Sequence, residues 1–395
     1  MNRPNNSSQK ITLPMAIIIG TKAIVGVGLF TAPSKLQVTA GPAGIITYIL
    51  VSISALFMAL AIARVAQLYP EKGAFYSYAK AWGGHSWGVI ATLSYMIGLI
   101  IALGLLAFVA AGIYIHAYIP SISPVILSVS LISLVIMIHL SGSNIAKTGQ
   151  KILFALTYIP IVLVSALCLL KADTSNLMPF MPNGWTSIFT AVPIVIFGFF
   201  GFEAIPSLFA DIENPERNVP KAIVWTMLLV GLTYIVFAGS IFIGIPRYLF
   251  VNPQTPLSTV LLPLYPNLGW LVAFIDWAII IAITGVLHAM TWSLSSLAIN
   301  TSQYIVNKTF SKKTALLIIG GLTIASCLIF QKSFGLMFDI TALFIVFAYA
   351  TAIAALLLKP KGRSLYQIIL AIFGLSTAAL IFGCAISGVI QSLNI

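Results

Sequence analysis

Long apolar stretches separated by short polar connections occupy almost the whole chain. Eleven of them are close to or longer than the roughly 20 residues with which a helix crosses a bilayer core of about 30 Å. They lie approximately at residues 13–37, 41–68, 84–116, 122–141, 150–171, 187–211, 220–246, 268–300, 313–331, 335–358 and 365–391. The longest polar connection, Arg247 to Asn267, leaves no room for a soluble domain. The pattern therefore predicts an all-α integral membrane protein with about 11 transmembrane helices.

The composition supports this prediction and excludes several classes of function. Of the 395 residues, 60% are hydrophobic and 7% are charged, whereas an average soluble protein has roughly 25% charged residues. With a mean hydropathy of +1.07, a soluble enzyme, a nucleic-acid-binding protein and a disordered chain are all excluded. Cys168, Cys327 and Cys384 lie in apolar stretches without paired spacing, so neither disulfides nor a metal site is indicated. We expect no cofactor and no metal.

The positive charges fall unevenly on the connections between spans. With a cytoplasmic N-terminus, fifteen of the twenty Lys and Arg residues lie inside, and four lie outside: Lys35, Lys171, Arg247 and Lys332. The remaining one, Lys22, lies within the first span. The positive-inside rule therefore predicts a multi-pass protein of the cell (plasma or inner) membrane. Residues 1–12 would form its cytoplasmic N-terminal tail.

Two spans contain clustered glycines beside one ionisable residue. The first span carries Gly26 and Gly28 near Lys22, and the sixth carries Gly198 and Gly201 near Glu203. These spans are five helices apart. Because five is an odd number, a second group of five helices would repeat the first group with inverted topology in the membrane. Glycine-interrupted helices in matching positions of two halves point to a transporter binding site. Unwound backbone and half-helix ends there could hold the charged groups of a zwitterion.

Several segments resemble known motifs of one superfamily. They are Gly26-Val-Gly28-Leu-Phe30, then Pro70-Glu-Lys-Gly73-Ala-Phe-Tyr76 with Ala74 in place of the usual glycine, Tyr158-Ile-Pro160, and Glu203 followed by Asp211 to Pro220. On these motifs the chain resembles the amino acid–polyamine–organocation (APC) superfamily. Within it, the basic amino acid/polyamine antiporters, such as the arginine–agmatine and putrescine–ornithine exchangers, are the most similar branch.

The resemblance implies the leucine-transporter fold, a 5+5 inverted repeat with broken helices 1 and 6. Residues 13–171 would form the first repeat (helices 1–5) and residues 187–358 the second (helices 6–10). Residues 365–391 would add a peripheral helix. The superfamily usually has twelve helices, so we expect the twelfth to be missing here.

The same resemblance implies a set of site residues. The expected substrate-binding residues are Ala23, Ile24, Gly26, Val27, Gly28, Phe197, Gly198, Gly201 and Trp292. Phe197 and Trp292 would enclose the substrate side chain, as two aromatic rings do in the arginine antiporter. Ordinary helix packing is the alternative reading for both.

Three ionisable residues are predicted to couple or gate transport. Lys22 matches the place on helix 1 where sodium-coupled relatives hold a sodium ion against helix 8, so its ammonium would replace that ion and exchange protons. Glu203 would respond to pH or face a cationic substrate. His288 lies one helical turn before Trp292 and shares its face. Asp339 is expected to be solvated, and no role is assigned to His139.

The sequence thus predicts a secondary active amino acid transporter that works by alternating access. Lys22 and Phe197 favour a neutral or broad amino acid substrate with proton coupling or pH regulation. Glu203 and Trp292 favour the alternative, an exchanger of basic substrates such as arginine, ornithine or putrescine. A channel is a remote alternative, because the spans lack rings of charge. The expected partners are an amino acid or amine, protons and the lipid bilayer, with no nucleic acid, in a monomer or homodimer.

Overall fold

The computed structural model describes residues 10–69, 75–141, 147–209, 212–251, 255–331, 333–358 and 364–393. Residues 1–9 of the predicted tail, the segment 70–74 and Asp211 lie outside the described residues. Within the described ranges the regular structure is helical, apart from an isolated bridge between Ile11 and Ile212. The all-α prediction is confirmed.

Thirteen helices carry the fold in the described part of the chain. They are α1 Leu13–Ile24, α2 Val27–Thr39, α3 Gly44–Leu68, α4 Phe75–Ala107, α5 Pro124–Leu140, α6 Lys147–Leu170, α7 Val192–Phe197, α8 Ala204–Ser207, α9 Pro215–Gly244, α10 Gly269–Val306, α11 Lys312–Phe330, α12 Phe334–Leu358 and α13 Leu365–Ser392. A short helix at Thr186–Thr190 leads into α7, and another at Leu257–Leu261 lies in a connection.

Seven of the described helices are long and apolar enough to cross a membrane, and α1 with α2 forms an eighth, bent candidate. Three shorter apolar helices, Pro124–Leu140, Leu156–Leu170 and Thr186–Phe197, occupy the positions of the remaining predicted spans. The chain is therefore a multi-pass membrane protein. The eleven apolar stretches correspond one by one to these helices or helix pairs.

Local chemistry explains where several helices begin or bend. Ser364 caps α13 by accepting a hydrogen bond from the Gln367 backbone, and the Gln367 side chain returns to the Ser364 backbone. This reciprocal capping box satisfies donors that a helix start would otherwise leave unpaired. In α4 the helix kinks at Gly84, whose φ of 75° suits glycine. The kink lies where the third apolar stretch was predicted to begin.

Both predicted helix interruptions are present. The first break separates α1 from α2 at Val25 and Gly26, and the two helices diverge there by 46°. The second break, residues 198–203, separates α7 from α8. Helices α3, α12 and α13 pack against α7, α3 and α9 pack against α8, and α9 and α10 pack against α1. The two breaks therefore lie together in the interior of the bundle.

Candidate substrate site at the two helix breaks

The two breaks touch through their glycines. A Cβ atom at Gly28 would overlap the Cα atom of Gly198, so the backbones meet where only glycine fits. At Gly201 a Cβ atom would overlap the carbonyl group of Ala23, and the φ of 116° also disfavours a side chain. These glycines therefore hold the two unwound segments together, as well as allowing each helix to be interrupted.

Tyr234 on α9 joins the two breaks by hydrogen bonds. Its hydroxyl donates toward the Ile24 carbonyl at 3.2 Å and the Gly198 carbonyl at 2.7 Å. The side chain is fully buried. Carbonyls freed by helix interruption need a partner inside a membrane protein, because lipid offers none. The single hydroxyl hydrogen of Tyr234 is shared between the two breaks, and the sequence patterns did not predict this residue.

A small apolar cavity lies against the two breaks. Its volume is about 20 Å³, enough for about one water molecule. The lining residues are Ala23, Ile24, Gly26, Val27, Gly28, Leu99, Ala102, Leu106, Phe197, Phe200, Val286, Met290 and Ile345. Every one of these side chains is apolar, so any polar group that the cavity offers to a ligand comes from the backbone.

Six of the nine predicted substrate residues line this cavity: Ala23, Ile24, Gly26, Val27, Gly28 and Phe197. Gly198 and Gly201 lie behind it, in the contacts between the breaks. Trp292 does not line the cavity, and 58% of its surface is exposed. Helix α10 contributes Val286 and Met290 instead. Because residues turn by about 100° along a helix, Trp292 points roughly 200° away from Met290.

Phe197, which lines the cavity, belongs to a cluster of aromatic and charged side chains on α2, α7 and α12. The Phe197 ring packs edge-on against the Phe338 ring of α12, with 4.9 Å between ring centroids. Lys35 Nζ lies 4.4 Å from the centre of the Phe338 ring and interacts electrostatically with Asp339. Asp339 is 7% exposed, which corrects the expectation that it is solvated. Its carboxylate is enclosed because α13 approaches it closely at Gly388.

Glu203 is held by three hydrogen-bond donors and does not line the cavity. The Tyr95 hydroxyl donates to Oε1 at 2.5 Å, and the Tyr349 hydroxyl donates to Oε2 at 2.6 Å. The Gly201 backbone N–H also donates to Oε2, at 3.0 Å. The carboxylate thus fastens the second break to α4 and α12. Tyr95 and Tyr349 were not predicted, because nothing in an apolar span distinguishes a partner tyrosine from a packing one.

Lys22 and His288 lie on α1 and α10, two helices that pack against each other. Both side chains are partly buried. Lys22 directly precedes Ala23, which lines the cavity. Lys22 therefore lies beside the cavity on α1, the first predicted span, which packs against α10, the eighth. His288 does not line the cavity itself.

We expect Tyr234→Phe to weaken the connection between the breaks. Two buried carbonyls would lose their donor, and an unsatisfied buried polar group costs about 1–3 kcal/mol. The variant should melt at a lower temperature than the wild type and take up substrate more slowly. Thermal unfolding in detergent and initial uptake rates measure both effects. Tyr366→Phe, at an exposed position on α13, is the control and should change neither.

The fold defines a multi-pass helical membrane protein with a small central cavity between two interrupted helices. The profile of the Amino acid permease family matches residues 11–393. The chain belongs to this family, within the APC superfamily, whose members are permeases and not enzymes.

Curated relatives carry several different substrate names. The branched-chain amino acid permease BcaP of Bacillus subtilis is 25% identical, over 70% of this chain and 63% of its own length. The cationic amino acid transporter 1 of Arabidopsis thaliana is 23% identical, over 73% of this chain and 50% of its own length. The γ-aminobutyric acid permease of Escherichia coli is 25% identical, over 72% of this chain and 64% of its own length.

The chain thus spans between half and just under two thirds of the length of these relatives. Their names mention branched-chain amino acids, cationic amino acids and γ-aminobutyric acid. The predicted superfamily is therefore confirmed, whereas the resemblance to its basic amino acid/polyamine branch is not specific.

Proposed function

We propose that this chain is a secondary transporter of neutral amino acids with apolar side chains, working by alternating access. The observation that supports this proposal is the cavity at the two breaks, because all the side chains that line it are apolar. An apolar substrate side chain would gain about 0.8 kcal/mol for each buried CH₂ group. A cationic side chain would lose its hydration in a cavity whose lining contains no carboxylate, and Glu203, the carboxyl of the second break, is engaged by tyrosines.

The backbone at the breaks supplies what a zwitterion needs. Helix α2 starts at Val27 beside the cavity, and its N-terminal dipole end favours a carboxylate. The α7 end at Phe197 offers carbonyls and a negative dipole end to an ammonium group. A cavity of about 20 Å³ is far smaller than a typical ligand pocket. Substrate entry therefore requires the half-helices to move apart, as alternating access demands.

We propose further that Lys22 provides proton coupling in place of a sodium ion. Its position next to the cavity-lining Ala23, on the helix α1 that packs against α10, supports the proposal. An ammonium at this place would attach α1 to the neighbouring helix when protonated and release it when deprotonated. We also propose that the N-terminus is cytoplasmic and that the protein resides in the cell membrane, on the strength of the positive-inside distribution.

Uptake into proteoliposomes tests the substrate class. We expect leucine, isoleucine and valine to compete with one another for uptake, and arginine, ornithine and putrescine to compete weakly. Filling the cavity by Ala102→Leu should reduce uptake of leucine more than uptake of alanine, because the added carbons take the room of the substrate side chain. Preferred uptake of arginine or putrescine would instead support the exchanger of basic substrates.

A second experiment tests the role of Lys22. We expect Lys22→Gln to retain exchange of substrate between the two sides at equal pH, since Lys22 does not line the cavity. The variant should lose accumulation driven by an inward proton gradient. Lys171→Gln, at an exposed position just after α6, serves as the control. Unchanged gradient-driven accumulation in Lys22→Gln would refute coupling through this residue.

A further inference from the structure

A second cavity lies at the ends of α2 and α9, on the outer side in the orientation that we propose for the protein. This outer cavity has a volume of about 550 Å³, which falls within the roughly 300–1,000 Å³ of small-molecule pockets. Its lining includes Gln37 and Val38 of α2, Asn176 of the connection after α6, and Arg247 and Phe250 of the connection after α9. No residue lines both the outer cavity and the central cavity at the two breaks. The outer cavity is therefore a separate place where a small molecule can be held.

Hydrogen bonds join the segments that form the walls of the outer cavity. Arg247 Nε donates to the Gln37 carbonyl at 3.0 Å, which joins the connection after α9 to α2. Asn176 Nδ2 donates to the Ile243 carbonyl at 2.9 Å, which joins the connection after α6 to the last turn of α9. The walls are therefore held by side-chain hydrogen bonds between segments distant in the sequence.

Arg247 gives the outer cavity a positive charge. Its side chain is half-buried, and among the described residues no carboxylate is recorded in an ion pair with it. The hydrogen bond from Nε orients the guanidinium and leaves its two terminal NH₂ groups available. Asp173 lies in the neighbouring connection, but its carboxylate accepts from the Ser175 backbone N–H at 2.8 Å and does not line the cavity. A guanidinium oriented in this way suits a planar carboxylate, which it can bind through two parallel hydrogen bonds.

Gln37 adds an amide that lacks a partner. Its side chain is fully buried, and neither Nε2 nor Oε1 forms a hydrogen bond with any described residue. A buried amide without a partner makes a protein less stable than an apolar side chain of the same shape would. A carboxylate oxygen bound beside Arg247 would supply an acceptor for the NH₂ group of this amide. Ligand binding thus accounts for a polar side chain that packing alone disfavours.

The other side chains of the lining limit the class of ligand. Val38, Met178 and Phe250 offer apolar surface to a short hydrocarbon chain. The described lining contains a single cation, Arg247, so it balances one negative charge. A ligand with two negative charges would carry one of them into the cavity without a counter-charge.

We propose that the outer cavity binds small organic carboxylates with a short apolar chain, with Arg247 pairing with the carboxylate and Gln37 donating a further hydrogen bond to it. Amino acids belong to this class of ligand. The site is nevertheless independent of the proposed transport function, because it shares no lining residue with the central cavity.

The test measures binding of 4-methylpentanoate to the purified full-length protein in detergent by isothermal titration calorimetry. This probe has the carboxylate and side chain of leucine but lacks the ammonium group. We expect saturable binding to the wild type, and binding about tenfold or more weaker to Arg247→Gln, the effect of losing a charge-assisted hydrogen bond. Lys171→Gln removes another outer cation that does not line the cavity and should bind like the wild type.

Gln37→Leu separates binding from folding. Because it replaces an unpartnered buried amide by an apolar side chain of similar size, we expect it to melt at the same or a higher temperature than the wild type. Its affinity for 4-methylpentanoate should nevertheless fall. If Arg247→Gln fails to fold, this variant decides the test: weaker binding supports the site, and unchanged binding counts against it.

Three further outcomes would overturn the proposal. Equal binding of the uncharged 4-methylpentanamide would mean that the carboxylate is not recognised. Equally tight binding of inorganic phosphate would mean that Arg247 holds an adventitious ion only. Loss of 4-methylpentanoate binding in Ala102→Leu, which fills the central cavity, would place the ligand there instead. Failure of leucine uptake in proteoliposomes would contradict the proposed transport function and leave the outer site unaffected.

Discussion

Replacing Gly28 by alanine should reduce transport to background. The added Cβ atom would overlap the Cα atom of Gly198 and come within 2.9 Å of its backbone nitrogen. Both partners are backbone, so no side chain can rotate away, and the two breaks must separate. Overpacking of this kind costs about 1–3 kcal/mol in stability. The larger effect is expected on transport, because Gly28 lines the cavity and belongs to the first turn of α2.

Gly321→Ala on α11 is the matched control for this experiment. A Cβ atom there meets nothing within 4 Å, and alanine improves helix propensity over glycine by about 1 kcal/mol. We therefore expect Gly321→Ala to melt at the same or a higher temperature and to transport normally. Initial uptake rates and thermal unfolding of both variants are compared with the wild type. Normal uptake by Gly28→Ala would mean that the contact between the breaks is not needed for transport.

The positions of the spans and of both breaks could be predicted from the sequence because their signals are local. The length of an apolar stretch sets whether it can cross a bilayer, and the glycines of each break lie within three residues of one another. The contact between Gly28 and Gly198 follows once the two breaks lie side by side. The prediction that they form one site followed from the five-helix offset between the two glycine clusters, and the fold implied by the resemblance agrees with it.

The partners of Glu203 could not be predicted, because they depend on helix rotation and tertiary packing. Tyr95 and Tyr349 lie 108 and 146 residues from Glu203 along the chain. The position of Trp292 also depends on helix rotation. A resemblance placed it at the substrate, but two residues along a helix turn a side chain by roughly 200°. Met290 consequently lines the cavity and Trp292 does not.

The second large effect is expected at Glu203. Glu203→Ala would leave the Tyr95 and Tyr349 hydroxyls and the Gly201 backbone N–H without their acceptor. Each buried unsatisfied group costs about 1–3 kcal/mol, so the loss would be a large fraction of the total stability of a typical domain. We expect a strongly lowered melting temperature and loss of uptake, measured in detergent and in proteoliposomes.

Glu203→Gln separates the structural role of the side chain from its charge. The amide oxygen can still accept from Tyr349 and Gly201, and the amide NH₂ group can donate to the oxygen of Tyr95, whose hydroxyl rotates to suit. The variant should therefore recover most of the stability that Glu203→Ala loses. If Glu203 fastens the second break, leucine uptake recovers with the melting temperature. If Glu203→Gln is stable but inactive, the negative charge itself is needed for transport. A melting temperature of Glu203→Ala equal to that of the wild type would contradict the fastening role, because three buried donors cannot lose their acceptor without cost.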